Sequence, residues 1–140
     1  MNAKTTGRTL IVDDELSLLV VIEQYLSRLG YQVSACRSGQ QAWELFESQP
    51  SAYALVMADI VMPEMSGQEM LARMLDLNPE ICILICSGYP FDVSTLPAAA
   101  HQQAGFLQKP FTPKMLAEEI ERLLKAREER STGREKGGSA

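Results

Sequence analysis

The chain has 140 residues, of which 46% are hydrophobic, and this length and composition suit one domain with a sizeable core. Its formal net charge of −5 argues against direct nucleic-acid binding, which needs clustered lysine and arginine side chains. No stretch reaches the roughly 20 apolar residues of a membrane span, and no signal peptide is recognisable. We therefore expect a cytoplasmic protein that makes no membrane contact through this segment.

Short apolar runs alternate with helical patterns from one end of the chain to the other. The runs predict five strands, over residues 9–12, 31–36, 53–58, 81–86 and 105–107. Between the strands, apolar residues recur at spacings of three and four, as they do in residues 19–29, which is typical of helices. Thr112 and Pro113 form a start signal for the last helix, whereas Pro97 interrupts residues 91–103 and predicts only a short helix there.

This alternation of strands and helices predicts an α/β fold, in which helices cover both faces of a parallel sheet. The near-continuous apolar character of the strands agrees, because such strands are buried on both faces. We expect an N-terminal arm at residues 1–7 and one domain over residues 8–130. The polar, glycine-rich residues 131–140 are expected to form a disordered tail or a linker.

Polar side chains follow four of the five predicted strands. Asp13 and Asp14 follow the first strand, Asp59 the third, Ser87 the fourth and Lys109 the fifth. Ligand sites of open α/β sheets lie beyond the carboxyl ends of the strands, so these residues are candidates for one site.

Three carboxylates at one sheet edge need a counter-charge. Two carboxylates about 4 Å apart repel by about 4 kcal/mol at an effective dielectric constant near 20. Lys109 offsets one charge, and a hard divalent cation would offset two, with Mg²⁺ or Mn²⁺ favoured by oxygen ligands. The set indicates a site that handles phosphoryl groups. Asp13 and Asp14 are adjacent and can share the cation, so Asp59 is the candidate nucleophile.

Four stretches in this order resemble the response-regulator receiver domains of two-component signalling. They are LIVDDE (10–15), MADIVMPEMSG (57–67), ICSGYP (85–90) and GFLQKPF (105–111). The resemblance covers residues 7–127 and implies a doubly wound, flavodoxin-like fold. In that fold a five-stranded parallel sheet of order 2-1-3-4-5 is surrounded by five helices.

The resemblance also implies roles for the residues at the strand ends. Asp59 would accept the phosphoryl group, and Lys109 would be the active-site lysine, joined to Pro110 by a cis peptide bond. Mg²⁺ would be held by Asp14 directly, by Asp13 largely through water, and by Asp59 and the backbone carbonyl of Val61.

Two further positions match the conformational switch of these domains. Ser87 lies where a hydroxyl moves to meet the phosphoryl group, and Phe106 lies where an aromatic ring turns inward. At Val61 and Tyr89, polar side chains in such domains can help the hydrolytic water. Because both residues differ here, we predict a long-lived aspartyl phosphate.

The phosphodonor implied by the resemblance is a sensor histidine kinase or a histidine phosphotransfer domain. A homodimer through the last helix and the fifth strand is a further expectation. The stretch CSGYPFD resembles receivers of hybrid histidine kinases, although a stand-alone regulator stays open. We expect the chain to catalyse its own phosphorylation and dephosphorylation, and to turn over no external substrate.

Two other functions compete with this interpretation. Phosphatases of the haloacid-dehalogenase type also use an aspartate nucleophile with Mg²⁺, but they carry a second aspartate two residues later, where this chain has Val61. A pseudo-receiver that only binds partners is the other alternative, and the complete set of acids and lysine argues against it.

Overall fold

The computed structural model describes residues 7–59, 67–92, 94, 96 and 98–138 of the chain. Within these ranges the strands are β1 (Arg8–Val12), β2 (Val33–Cys36), β3 (Tyr53–Asp59), β4 (Cys82–Ser87) and β5 (Ala104–Gln108). The α-helices are α1 (Leu16–Arg28), α2 (Gly39–Ser48), α3 (Gly67–Leu77) and α4 (Pro113–Gly138). Two short 3₁₀-helices cover Pro50–Ala52 and Ala98–Gln103.

The five strands form one parallel sheet in the order β2-β1-β3-β4-β5. Every residue of the neighbouring strands β3 and β4 is buried. Helices that cover both faces leave no polar side of the sheet, which explains the continuous apolar runs in the sequence. The predicted parallel sheet and the strand order implied by the resemblance are both confirmed.

Alternate residues of each strand feed two separate cores, because successive side chains of a strand point to opposite faces. Val56 and Ile83 belong to the core under α2 and α3. Leu55 and Leu84 belong to the core under α1 and α4. The sheet is thereby packed between two apolar layers, one on each face.

Side-chain caps fix where two of the helices begin. Ser38 Oγ accepts a hydrogen bond from the Gln41 amide at 3.1 Å, at the start of α2. Thr112 Oγ1 accepts one from the Met115 amide at 3.1 Å, and Pro113 is the first residue of α4, as the sequence predicts. Each cap satisfies an amide that has no partner inside the helix.

The expected count of five helices is wrong for the described residues, which contain four α-helices. Between β4 and β5 the chain forms the 3₁₀-helix Ala98–Gln103, directly followed by β5 at Ala104. Pro90 and Pro97 bracket the preceding segment, and proline lacks the amide that a continuing helix needs. Pro97 itself lies outside the described residues.

The end of the chain also differs from the expected disordered tail or linker at residues 131–140. Helix α4 continues to Gly138, eight residues past the predicted end at Arg130. Extending an existing helix avoids the unfavourable nucleation step, so a polar stretch can continue it. Arg130 fastens the helix just before this extension, because its Nη1 donates to the Gln102 carbonyl oxygen at 3.2 Å.

Among the described helices, none combines the length and the apolar character that a bilayer crossing requires. The three cysteines Cys36, Cys82 and Cys86 are buried free thiols.

Candidate functional site

The strand register brings the predicted site residues to one edge of the sheet. Val12 pairs with Ala58, so Asp13 and Asp59 follow at neighbouring positions. Ser87 on β4 pairs with Gln108 on β5, and Lys109 comes next along the chain. Parallel strands end at the same edge, and residues far apart in sequence therefore meet there.

Asp13, Asp14 and Asp59 form an acidic cluster. One carboxylate oxygen of each lies within 4.8 Å of those of the other two. Asp13 is 1% exposed and Asp59 9% exposed, whereas Asp14 lies on the solvent side. The two buried carboxylates repel each other strongly because little water screens them.

Lys109 supplies the counter-charge to the two buried acids. Its Nζ donates to Asp13 Oδ2 at 2.7 Å and to Asp59 Oδ2 at 2.8 Å. Burial lowers the pKa of Lys109, but the hydrogen bonds and the charges of the two aspartates outweigh burial and raise that pKa above its ordinary value. The Lys109 side chain is therefore protonated at neutral pH and lies as an ammonium between two carboxylates.

Backbone contacts hold these side chains in place. The Asp13 amide donates to the Cys36 carbonyl oxygen at 3.1 Å, and Asp13 Oδ1 accepts from the Glu15 amide at 2.9 Å. The Lys109 amide donates to the Ser87 carbonyl oxygen at 2.7 Å. The peptide bond between Lys109 and Pro110 is cis, as the resemblance implies.

Ser87 is fully buried at the end of β4. Its Oγ accepts a hydrogen bond from the Tyr89 amide at 3.1 Å. A serine hydroxyl has one donor hydrogen in addition to its lone pairs, so accepting this bond leaves that hydrogen able to donate.

Phe106 lies on β5, opposite Ile85 of β4 in the strand register. It is half-buried on β5 and packs against the core under α2 and α3. Its ring centroid lies 6.5 Å from that of Phe91, at an interplanar angle of 37°. The ring thus contacts the segment that follows Ser87.

The cluster fits a hard divalent cation. Three carboxylate oxygens close to one another, one of them open to solvent, form the kind of donor set that Mg²⁺ prefers, with water completing the shell. The predicted ligand Val61 lies outside the described residues.

Sequence reasoning gave no role to two residues beside the site. Glu15 holds Asp13 through its amide, and its side chain lines a cleft of about 160 Å³ together with Lys109 and Phe111. Cys86 pairs with Asp59 in the sheet register, and burial raises the pKa of its thiol, so it stays neutral. Both residues lie within the quoted motifs, but their contacts could not be predicted, because an amide contact and a strand register are tertiary features.

The chain is similar to known proteins. A sequence model of the response regulator receiver domain family matches residues 9–121. Over 119 residues the chain is 33% identical to the sensor kinase CckA of Brucella abortus. This match covers 85% of the chain but only 13% of CckA. The chain is 31% identical over 117 residues to the response regulator receiver protein CpdR of the same organism, covering 84% of this chain and 96% of CpdR.

One solved structure shows the same fold over nearly its whole length. The CheY-like receiver domain protein from Methanospirillum hungatei superposes with a TM-score of 0.79 at 28% identity. The match covers 90% of this chain and 99% of that one.

Proposed function

Because the chain belongs to the response regulator receiver domain family, we propose that Asp59 accepts a phosphoryl group from a phosphohistidine. The donor is a sensor histidine kinase or a histidine phosphotransfer domain, in the cytoplasm. The observation that carries the proposal is the Lys109 ammonium, which lies 2.7 Å from Asp13 and 2.8 Å from Asp59. A charged lysine that bridges two buried carboxylates is costly to assemble for stability alone.

In the transfer step, a carboxylate oxygen of Asp59 attacks the phosphorus atom of the donor. A P–O bond forms while the P–N bond breaks, and its electron pair returns to the imidazole, which takes up a proton. Asp13, Asp14 and Asp59 would hold Mg²⁺, which when bound neutralises charge on the phosphoryl oxygens. Lys109 and the Ser87 hydroxyl donate hydrogen bonds to the same oxygens.

The phosphoryl group carries roughly 1.5 to 2 negative charges, while the Asp59 carboxylate gives up its own charge on forming the anhydride, so this edge of the sheet becomes more negative. Ser87 and Phe106 change conformation in response to that charge and act as the switch. The surface formed by β5 and α4 then changes its contacts with a partner, an attached domain or a second copy of the chain. The receiver spans residues 8–130. It forms and hydrolyses its own phosphate without turnover of an external substrate.

The relatives include a receiver domain within a longer sensor kinase and a receiver that stands almost alone. CckA carries the matching segment within a sensor kinase, and CpdR consists almost entirely of it. We propose the same function in either setting, since the site residues all lie between Asp13 and Lys109.

Intact-mass spectrometry tests the proposal. Incubation with acetyl phosphate and Mg²⁺ should add one phosphoryl group to the wild type and to Asp76→Asn, a control at an exposed aspartate on α3. Asp59→Asn should stay unmodified, and chelation of Mg²⁺ should block the wild type. Modification of Asp59→Asn would refute the proposal, and steady turnover of p-nitrophenyl phosphate would favour a phosphatase.

A further inference from the structure

The hydroxyl of Ser87 is tied to the segment that follows it. Its hydrogen bond from the Tyr89 amide, at 3.1 Å, spans Gly88. Because the oxygen accepts this bond, its own hydrogen stays available for a phosphoryl oxygen, and both bonds can exist together. A displacement of Ser87 Oγ therefore carries the Tyr89 amide with it.

Only three residues separate Ser87 from Phe91. Pro90 has a fixed φ angle, which removes one of the backbone rotations between Tyr89 and Phe91. The Tyr89 side chain is 71% exposed. Phe91 is the next side chain that returns to the core, and it is half-buried there.

The ring of Phe91 then contacts the ring of Phe106. Their centroids lie 6.5 Å apart and their planes are tilted by 37°, within the range of favourable aromatic pairs. Both rings pack against the same core, under α2 and α3. Protein cores are close-packed, so one ring cannot shift without changing the position open to the other.

We propose that Phe91 couples Ser87 to Phe106. The inference rests on the proposed function and adds a positioning residue to it. Phosphoryl binding displaces the Ser87 hydroxyl, residues 88–91 follow, and Phe91 alters the packing of the Phe106 ring. The two rings act as one element, whose contact differs between the phosphorylated and unphosphorylated states.

A double-mutant cycle tests this coupling on the full chain. Dissociation constants for beryllofluoride, a phosphoryl mimic, are measured with Mg²⁺ for the wild type, Phe91→Leu, Phe106→Leu and the double variant. When two substitutions act independently, their fold-changes in the dissociation constant multiply to within about 2-fold. We expect the double variant to depart from the product of the single effects by more than that factor. Agreement with the product would overturn the coupling.

A matched control uses Tyr25→Leu, since Tyr25 is also a half-buried aromatic residue but packs in the opposite core, under α1 and α4. Combined with Phe106→Leu, it should give effects that multiply. A 4-fluorophenylalanine label at position 106 provides a second measurement. Its ¹⁹F shift on beryllofluoride addition should be preserved in Tyr25→Leu and reduced in Phe91→Leu.

The outcomes separate the two proposals. If acetyl phosphate modifies Asp59 in every variant but the ¹⁹F shift is the same in Phe91→Leu as in the wild type, only the role of Phe91 fails. If the wild type itself is not modified at Asp59, the proposed function fails, and the coupling fails with it.

Discussion

Replacement of Lys109 by methionine should strongly destabilise the protein. The change keeps much of the side-chain bulk but removes the ammonium that bonds Asp13 at 2.7 Å and Asp59 at 2.8 Å. Two unit charges 4.8 Å apart, the widest separation within the acidic cluster, repel by about 3.5 kcal/mol at an effective dielectric constant near 20. Removing one partner of a buried ion pair costs a similar amount, about 3 to 5 kcal/mol.

Urea unfolding at pH 7 without divalent cations measures this loss. With a slope near 2 kcal/mol per molar urea, a loss of about 3 kcal/mol lowers the midpoint by about 1.5 M. Lys125→Met is the matched control, because Lys125 is exposed on α4, and it should change stability by less than about 0.5 kcal/mol.

Two additions test the electrostatic origin of the effect. Mg²⁺ should recover part of the lost stability, because a divalent cation offsets the same repulsion. Asp59→Asn combined with Lys109→Met should be more stable than Lys109→Met alone, since it removes one of the two repelling charges. Electrostatic stabilisation by Lys109 is refuted if Lys109→Met is as stable as the Lys125→Met control, or if adding Asp59→Asn to Lys109→Met lowers stability further.

Three more predictions concern other parts of the chain. Thr9→Val should stabilise the protein by about 1 kcal/mol in urea unfolding, because Thr9 Oγ1 is buried without a hydrogen-bond partner among the described residues; a loss of stability would contradict this. Burial raises the pKa of Cys36 from 9.0 to about 11, so its contribution to stability is complete below pH 9 and is lost as pH rises to 11. Between pH 9 and 11 the free energy of unfolding should fall by roughly 2 kcal/mol more in the wild type than in Cys36→Ala. Parallel pH profiles of stability for the two proteins would contradict this prediction. Tyr89→Gln should shorten the half-life of the aspartyl phosphate in radiolabel-decay measurements, because a polar side chain there can orient the attacking water; an unchanged or longer half-life would show that Tyr89 does not protect the phosphate.

Local sequence patterns predicted most of the elements because the forces behind them are local. The apolar runs correctly indicated β3 and β4, and the Thr112-Pro113 signal located the start of α4. The short helix expected after Pro97 is present as the 3₁₀-helix Ala98–Gln103, whereas the count of five helices came from the resemblance and not from the pattern. Patterns failed where local preferences compete. Helix α4 extended through residues with weak helix propensity.

The sequence by itself determined the α/β class and the residues that follow each strand, since periodicity and chain order are written in it. The strand order came from the resemblance of four motifs, whereas Asp59 and Lys109 were already candidates from their places after the predicted strands. Only the tertiary structure decided the distances: carboxylates within 4.8 Å, a lysine that bonds two of them, and the ring of Phe91 against that of Phe106. Distances between residues far apart in sequence depend on strand register and packing, and no local pattern contains either.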